Sequence, residues 1–253
     1  MGIKDGRGYS QATLDKEDGL EKILALHIDI VKKVLRKEKN SWIPKCYFFI
    51  DAYAGPGENP EVGCKGSPLI YLDTIANKDL KAKAWFIDVE QNNTMLLKMR
   101  IEDNQAYRGL DHTILTGDNK LLVPRIAADL PKNALGLIYA DATNIPDFDM
   151  LGTLSKIGAL RMFDILIRYP ATNIKRTQHL TGLQMRDYLR KVPKSHWIIR
   201  DILPGDKLQW TFLLGMNYEI GDWKKERFYK VDSEEGKAIF DRCNDMRHSN
   251  GQM

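Results

Sequence analysis

Phe48-Phe49-Ile50-Asp51-Ala52-Tyr53-Ala54-Gly55-Pro56-Gly57 decides how the rest of the chain is read. The apolar run Tyr47 to Ile50 predicts a buried strand, and an acid and two glycines follow it at once. Gly66-Ser67-Pro68 then predicts a helix start, with Ser67 as N-cap and Pro68 at the first helical position. Strand, acid, glycine turn and helix together describe a nucleotide-type site at the carboxyl edge of a parallel sheet. Gly55 and Gly57 carry no Cβ, so the backbone there can approach a ligand closely. An ordinary tight strand-to-helix turn has the same local pattern, so the motif alone decides no ligand.

Two familiar glycine motifs fail in detail. The nicotinamide-type fingerprint needs a third glycine three residues after Gly57, where Pro60 stands. A Walker-type phosphate loop needs Gly-Lys-Ser or Gly-Lys-Thr, and Gly63-Cys64-Lys65-Gly66-Ser67 breaks that order.

Working outward, the stretch is flanked by alternating strands and helices. Upstream, Leu20, Ile23, Leu24, His27, Val31, Val34 and Leu35 recur at helical spacing, and His27 on that stripe reads as a satisfied core histidine. Downstream, strands are predicted at Ala84 to Ile87, Thr113 to Leu115, Ala134 to Tyr139 and Phe163 to Tyr169. Helices are predicted at Pro68 to Ala76, Gln91 to Glu102, Leu121 to Ala128 and Met150 to Ile157. In the second of these, Met95, Leu96, Met99 and Ile101 are expected to face inward. Repeated βα units imply a parallel sheet with helices on both faces. Trp197 to Leu203 and Trp210 to Met216 read as two strands joined by the turn Pro204-Gly205-Asp206, and a connection that short makes them antiparallel. The simplest organisation is one domain: a helical lead-in over residues 1–40, a core over 41–220 and a tail over 221–253.

Composition narrows the class. The chain has 253 residues, 43% apolar and 28% charged, as a globular protein does. No apolar run reaches the roughly 20 residues a membrane span needs, and Met1 to Gly6 lacks a signal-peptide core. The expected location is therefore the cytoplasm. Cys46, Cys64 and Cys243 form no Cys-x-x-Cys pair, which argues against a structural zinc site and a disulfide framework. Lys65 beside Cys64 is a neighbour of the kind that lowers a thiol's pKa, but an ordinary exposed or packed thiol is the better reading. Net charge is +4, but it is unevenly spread. Lys32, Lys33, Arg36, Lys37 and Lys39 stand against Glu38 alone, and residues 161–207 hold ten Lys or Arg against four Asp. Such clusters are either solvated faces or the footprint of a polyanion such as nucleic acid.

Asp51, Asp88, Asp118 and Asp141 carry the chemistry, since each follows a predicted strand and so all four converge on one sheet edge. One Asp there would be a turn former or N-cap. In succession they can divide the work: an acid after the second strand accepts ribose hydroxyls, and one after the third accepts an adenine amino group. Asn119 offers its N–H to the ring, and Asp51 holds an ammonium group or a bridging water. Glu90 is a second candidate for the ribose.

These motifs resemble, in order, those of the three-Cys-motif partner proteins, TcmP. Asp51-Ala-Tyr-Ala-Gly-Pro-Gly57 carries the resemblance, followed by Gly66-Ser-Pro-Leu-Ile70, Phe86-Ile-Asp-Val-Glu90, Gly117-Asp118, and Asp164-Ile-Leu-Ile-Arg-Tyr-Pro170 with Ile174-Lys-Arg176. The likeness covers roughly residues 14–220. It implies a Rossmann-like class I methyltransferase fold: a mainly parallel seven-stranded sheet with one antiparallel edge strand. It also implies S-adenosylmethionine as cofactor, held by Asp51, Ala52, Tyr53, Gly55, Gly57, Asp88, Val89, Gly117, Asp118 and Asn119. The family's name refers to cysteines in a radical-SAM-like partner protein, and its setting is phage-related. One departure stands out. The family places Asp-Pro-Tyr-Gly or similar after the fourth strand, where this chain has Asp141-Ala142-Thr143-Asn144.

Two functions follow as expectations. In one the chain is a methyltransferase acting on nucleic acid or a phosphorylated substrate. Asp141 is then base or substrate anchor, Tyr169 a wall or hydrogen-bonding partner, and Lys175 and Arg176 a phosphate-binding pair. In the other it is an inactive scaffold that works with the partner. The amino-methylating signature of Asp, Asn or Ser before Pro-Pro-aromatic is absent, as is a Pro-Cys nucleophile.

Overall fold

The structure, a computed structural model, describes residues 11–59, 63–142, 145–171, 173–174, 182, 185–201, 210–219 and 221–244. Lys175, Arg176, Thr143, Asn144 and the predicted turn at Pro204-Gly205-Asp206 lie outside the described residues.

Helix α1 (Gln11–Leu35) leads into strand β1 (Tyr47–Asp51), which is buried along its whole length. A small hairpin, β2 (Glu58–Asn59) with β3 (Cys64–Lys65), separates the glycine turn from α2 (Ser67–Ala76). There follow β4 (Ala82–Asp88), α3 (Gln91–Asp103), β5 (Asp111–Thr116), α4 (Asn119–Asp129), β6 (Leu135–Ala140), α5 (Phe148–Lys156) and β7 (Phe163–Tyr169). The C-terminal part supplies α6 (Met185–Arg190), β8 (His196–Arg200), β9 (Thr211–Met216), β10 (Phe228–Lys230) and α7 (Glu234–Asn244).

The main sheet has eight strands in the order β10-β8-β9-β7-β6-β1-β4-β5. The run from β7 to β5 is parallel, while β9 is antiparallel to both its neighbours and β10 is antiparallel to β8. The α/β, Rossmann-like class read from the sequence is the one observed. The strand count differs from seven because Phe228–Lys230, three residues long, pairs with β8 at the edge. From β1 the chain builds outward through β4 to β5, then returns to β6 on the other side of β1. The crevice between β1 and β6 is therefore the topological switch point, where ligands of open α/β sheets bind.

Two apolar cores lie on the two faces. One gathers α1, α2 and α3 through residues such as Leu20, Leu24, Phe49, Tyr71, Leu72 and Leu97. The other gathers α4, α5, α6 and α7 through Val123, Ile126, Leu151, Leu189 and Phe240. Strand alternation assigns each residue to a face. Tyr47, Phe49 and Asp51 point with α1, whereas Phe48 and Ile50 point away from it. Along β7, Ile165, Ile167 and Tyr169 join the far core, which leaves Asp164, Leu166 and Arg168 on the α1 side.

Two local expectations change. Gly66, not Ser67, is the N-cap of α2, and no side chain caps that end, so the Ser67 hydroxyl falls inside the first turn. On α3 the inward stripe is Thr94, Leu97 and Ile101, while Met95, Leu96 and Met99 are exposed. Thr94 takes the inner position because its hydroxyl bonds that of Thr116 on β5 at 2.7 Å.

Candidate functional site

The four acids do sit at the carboxyl ends of β1, β4, β5 and β6, and the loops that carry them are laced together. Ala52 N–H donates to Tyr139 carbonyl at 3.0 Å, and Ala54 N–H to Ile87 carbonyl at 2.8 Å. Gly117 N–H donates to Asp88 carbonyl at 2.9 Å, and the Asn119 side-chain amide to Ala52 carbonyl at 3.0 Å. Gly55 and Gly57 both have left-handed backbones, with φ of 64° and 84°. A Cβ on Gly57 would meet Leu97 at 2.6 Å, whereas one on Gly55 would meet nothing within 4 Å. Gly57 is thus needed for packing, and Gly55 presents bare backbone to open space.

Asp88 braces this turn. Its Oδ2 accepts the Gly55 N–H at 2.8 Å, and its Oδ1 accepts the Glu90 N–H at 2.8 Å and the Asn93 amide at 3.1 Å. A carboxylate offers about four acceptor sites, so about one remains free. Asp118 is the N-cap of α4, accepting Lys120 N–H at 2.9 Å. Val89 and Leu121 are exposed apolar residues on the same rim. Arg100 of α3 clamps the far side of the turn, bonding the Pro56 carbonyl and pairing with Glu58 at 3.1 Å.

At the switch point the site is charged and buried. Asp51 is fully buried; its Oδ1 accepts Tyr53 N–H at 3.1 Å, and its Oδ2 has no hydrogen-bond partner among the described residues. Burial pushes the Asp51 carboxyl up to about 7, against the opposing pull of the Ser67 hydroxyl and the Tyr53 N–H. The first turns of α1 close over it. Lys16 Nζ lies 2.8 Å from Glu17 Oε1 and 2.8 Å from Asp141 Oδ2. Asp141 also accepts from the Tyr139 hydroxyl at 3.2 Å and faces Arg168 Nε at 3.2 Å. Burial raises the Asp141 carboxyl, but Lys16 and Arg168 outweigh it and hold the group below the usual carboxylate range. Burial likewise raises Glu17, more than Lys16 lowers it, and Glu17 Oε2 has no partner among the described residues. Burial pulls the Lys16 ammonium down, yet Asp141 and Glu17 carry it above its ordinary value. Three carboxylates, Glu17, Asp51 and Asp141, are thus gathered where Lys16 and Arg168 pair with Asp141 and Lys16 with Glu17, and two carboxylate oxygens lack partners among the described residues.

The structure brings Asp51, Ala52, Tyr53, Gly55, Gly57, Asp88, Val89, Gly117, Asp118, Asn119 and Asp141 to one edge. It does not bring Tyr169 there: that side chain is fully buried in the far core, its hydroxyl without a partner among the described residues. Strand alternation gives Arg168 the position facing the crevice instead. Cys64 is not activated by Lys65. Burial raises the thiol, and Lys65 is paired with Asp73 at 2.6 Å. Lys16, Glu17, Arg168 and Arg100 were not identified from the sequence; for Arg168 the alternation of β7 was a usable signal. Among the described residues no group of three or more His, Cys, Asp or Glu could hold a metal ion, and no helix is long and apolar enough to cross a membrane.

No family model and no curated protein matches the chain. A Legionella pneumophila protein described by the family model DUF519 aligns over 89% of this chain and 90% of its own, at 12% identity and a TM-score of 0.52. A methyltransferase from Geobacter sulfurreducens aligns over 79% of this chain and 78% of its own, at 12% identity and a TM-score of 0.44. A Listeria monocytogenes chain, provisionally described as a class I S-adenosylmethionine-dependent methyltransferase, aligns over 80% of this chain and 60% of its own, at 15% identity and a TM-score of 0.45. At these identities the likeness is one of fold.

Proposed function

We propose that this chain is a class I S-adenosylmethionine-dependent methyltransferase. One observation carries the reading: four acids end four adjacent parallel strands around a glycine turn, at the topological switch point of the sheet. The residues fit such a cofactor. Asp51 Oδ2 and Glu17 Oε2 are buried acceptors with no partner among the described residues, of the kind that holds an ammonium group, and Gly55 leaves room beside its backbone. Asp88 and the exposed Glu90 would share the ribose hydroxyls, since Asp88 keeps about one acceptor site of its own. Val89 and Leu121 would flank an adenine ring, with Asp118 and Asn119 at its edge.

When bound, S-adenosylmethionine supplies an electrophilic methyl group, and the protein's main task is positioning. Asp141 serves as a substrate anchor here better than as a base, because Lys16 and Arg168 stabilise its ionised form. Nucleic acid or another phosphorylated substrate is supported by the Lys and Arg excess over residues 161–207, and Lys175 and Arg176 are the proposed phosphate contacts. The narrower assignment, to the three-Cys-motif partner proteins with a radical-SAM-like partner, is supported by the ordered motifs from Asp51 to Arg176. A second reading, binding without transfer, is favoured by the closure of α1 over Asp51 and Asp141.

Calorimetry with S-adenosylmethionine and its demethylated product tests the cofactor. Binding is expected, and Asp88→Ala should lose about 1.5–3 kcal/mol of it, the scale of hydrogen bonds to a charged group. No binding by the wild-type chain would overturn the assignment, and unchanged affinity in Asp88→Ala would remove that residue from the site. Transfer of a tritiated methyl group to nucleic acid, with the partner present, separates enzyme from scaffold.

A further inference from the structure

The opposite edge of the sheet holds a cavity of about 380 Å³ that the proposed methyl transfer does not use. That volume is on the scale of small-ligand pockets. Its walls include three aromatic side chains, Trp42, Tyr218 and Trp223, and its floor holds His27 and Asp164. Lys37 and Lys39 stand among its lining residues, and both are exposed.

Three features of this cavity point the same way. Trp42 is 56% exposed and Tyr218 50%, which leaves large aromatic faces in water. The Trp42 loop is nevertheless fixed, because Asn40 donates to the Val34 carbonyl at 2.8 Å and Ile43 is buried beside it. A rigid, exposed aromatic face is a stacking surface. Lys37 and Lys39 have no carboxylate partner among the described residues, and Lys33 of the same helix end adds to the positive charge, whereas Arg36 is paired with Asp79 at 2.9 Å. Last, the cavity has a defined acceptor. His27 bridges Tyr47 Oη at 2.9 Å and Asp164 Oδ2 at 3.0 Å. That pairing fixes the Asp164 carboxylate and leaves Oδ1 for an N–H donor.

We infer that this cavity takes an unpaired base of a single-stranded nucleic acid. The base stacks on Trp42, an N–H on its edge meets Asp164, and the flanking phosphates run along Lys37, Lys39 and the end of α1. Aromatic faces beside unpaired lysines are how single strands are gripped without reading a duplex groove. The part-buried Asp164 carboxylate discriminates against an isolated phosphate entering the cavity, so the anion stays at the mouth. The cationic stripe extends beyond what one phosphate needs, which points to a strand over a free nucleotide. The inference does not depend on the cofactor assignment.

Fluorescence anisotropy with labelled ten-nucleotide DNA and RNA single strands tests it, with a duplex of the same sequence and a mononucleotide as competitors. Single strands should bind, and more weakly as salt rises. Trp42→Ala should weaken binding by roughly five- to 150-fold, the range measured for loss of one stacked base. Trp42 is on the surface, so the fold should survive, and circular dichroism and S-adenosylmethionine calorimetry check this. The double variant Lys37→Glu/Lys39→Glu should weaken binding and flatten its salt dependence. Unchanged affinity in Trp42→Ala, a duplex that competes better than the strand, or a mononucleotide that binds as tightly as the ten-mer would each overturn the proposal. So would failure of every nucleic acid to bind, a result that hands the cavity to a peptide or protein.

Discussion

Helix α1 meets both edges of the sheet, and it meets them differently. At the carboxyl edge it contributes charges, with Lys16 and Glu17 packed against Asp141, Arg168 and Asp51. At the amino edge it contributes a histidine held by Tyr47 and Asp164, and the surroundings are apolar and aromatic. Both meetings rest on the same face of β7, where Asp164 and Arg168 lie four residues apart. Among the described residues the carboxyl edge has more carboxylates than cations around α1 and two unpartnered oxygens. At the amino edge both ring nitrogens of His27 are bonded, while Asp164 Oδ1 and the aromatic faces stay open. A helix can therefore lean on one edge of a sheet through clustered charge and on the other through a bonded histidine set among aromatic faces.

The contrast is most exposed to test at Lys16. Removing one member of a buried ion pair leaves charge uncompensated, at a cost of about 3–5 kcal/mol. Lys16→Met should lose that much in chemical denaturation, and adding Asp141→Asn should restore part of it. A loss below about 1 kcal/mol would class the pair with exposed salt bridges and remove the contrast. His27→Leu should cost less, about 1–3 kcal/mol, by orphaning Tyr47 Oη and Asp164. It should leave S-adenosylmethionine affinity unchanged, so weaker cofactor binding in that variant would show that the two edges are coupled.

Protonation sharpens the comparison. Asp51 binds its proton more tightly folded than unfolded, between its ordinary value of 3.8 and about 7. The native state then holds more protons than the unfolded one, so this group's contribution to stability falls as pH rises through that window. Asp141 has the opposite sign: its contribution is present above the ordinary carboxylate value and is lost on acidification below it. Denaturation midpoints at pH 4.5 and 7.5 should therefore differ less in Asp51→Asn than in the wild type, and equal differences would remove Asp51 as their source. The smallest effect belongs to the rim. Asp118→Ala should cost about 1 kcal/mol of stability as a lost N-cap, and a much larger loss would mean that the side chain does more than cap α4.

The sequence made the sheet and its acid-bearing edge legible, because buried strands are short apolar runs and each acid directly follows one. His27 was legible too, as a polar residue on an otherwise apolar stripe. What escaped depends on partners distant in the chain. Lys16 meets Asp141 across 125 positions and His27 meets Asp164 across 137, and no local spacing encodes either. Tyr169 was a different failure. Counting alternate residues back to Ile165 places it in the far core and places Arg168 at the crevice. On α3, hydrophobicity favoured Met95, Leu96 and Met99, but a threonine hydroxyl with a partner on β5 took the inner face. Strand β10 is three residues long and left no pattern to detect.

The long separations have a consequence for how the protein is made. α1 leaves the ribosome before every strand of the sheet, yet its acceptor on β7 lies 137 residues behind His27. At roughly 5–20 residues per second, about 7 to 27 s pass before Asp164 exists to receive it. During that interval the stripe of Leu20, Ile23, Leu24 and Val31 can rest on β1 and α2, but both of its polar clasps stay open. The helix made early is fastened late, and until β7 emerges it is held by apolar packing alone.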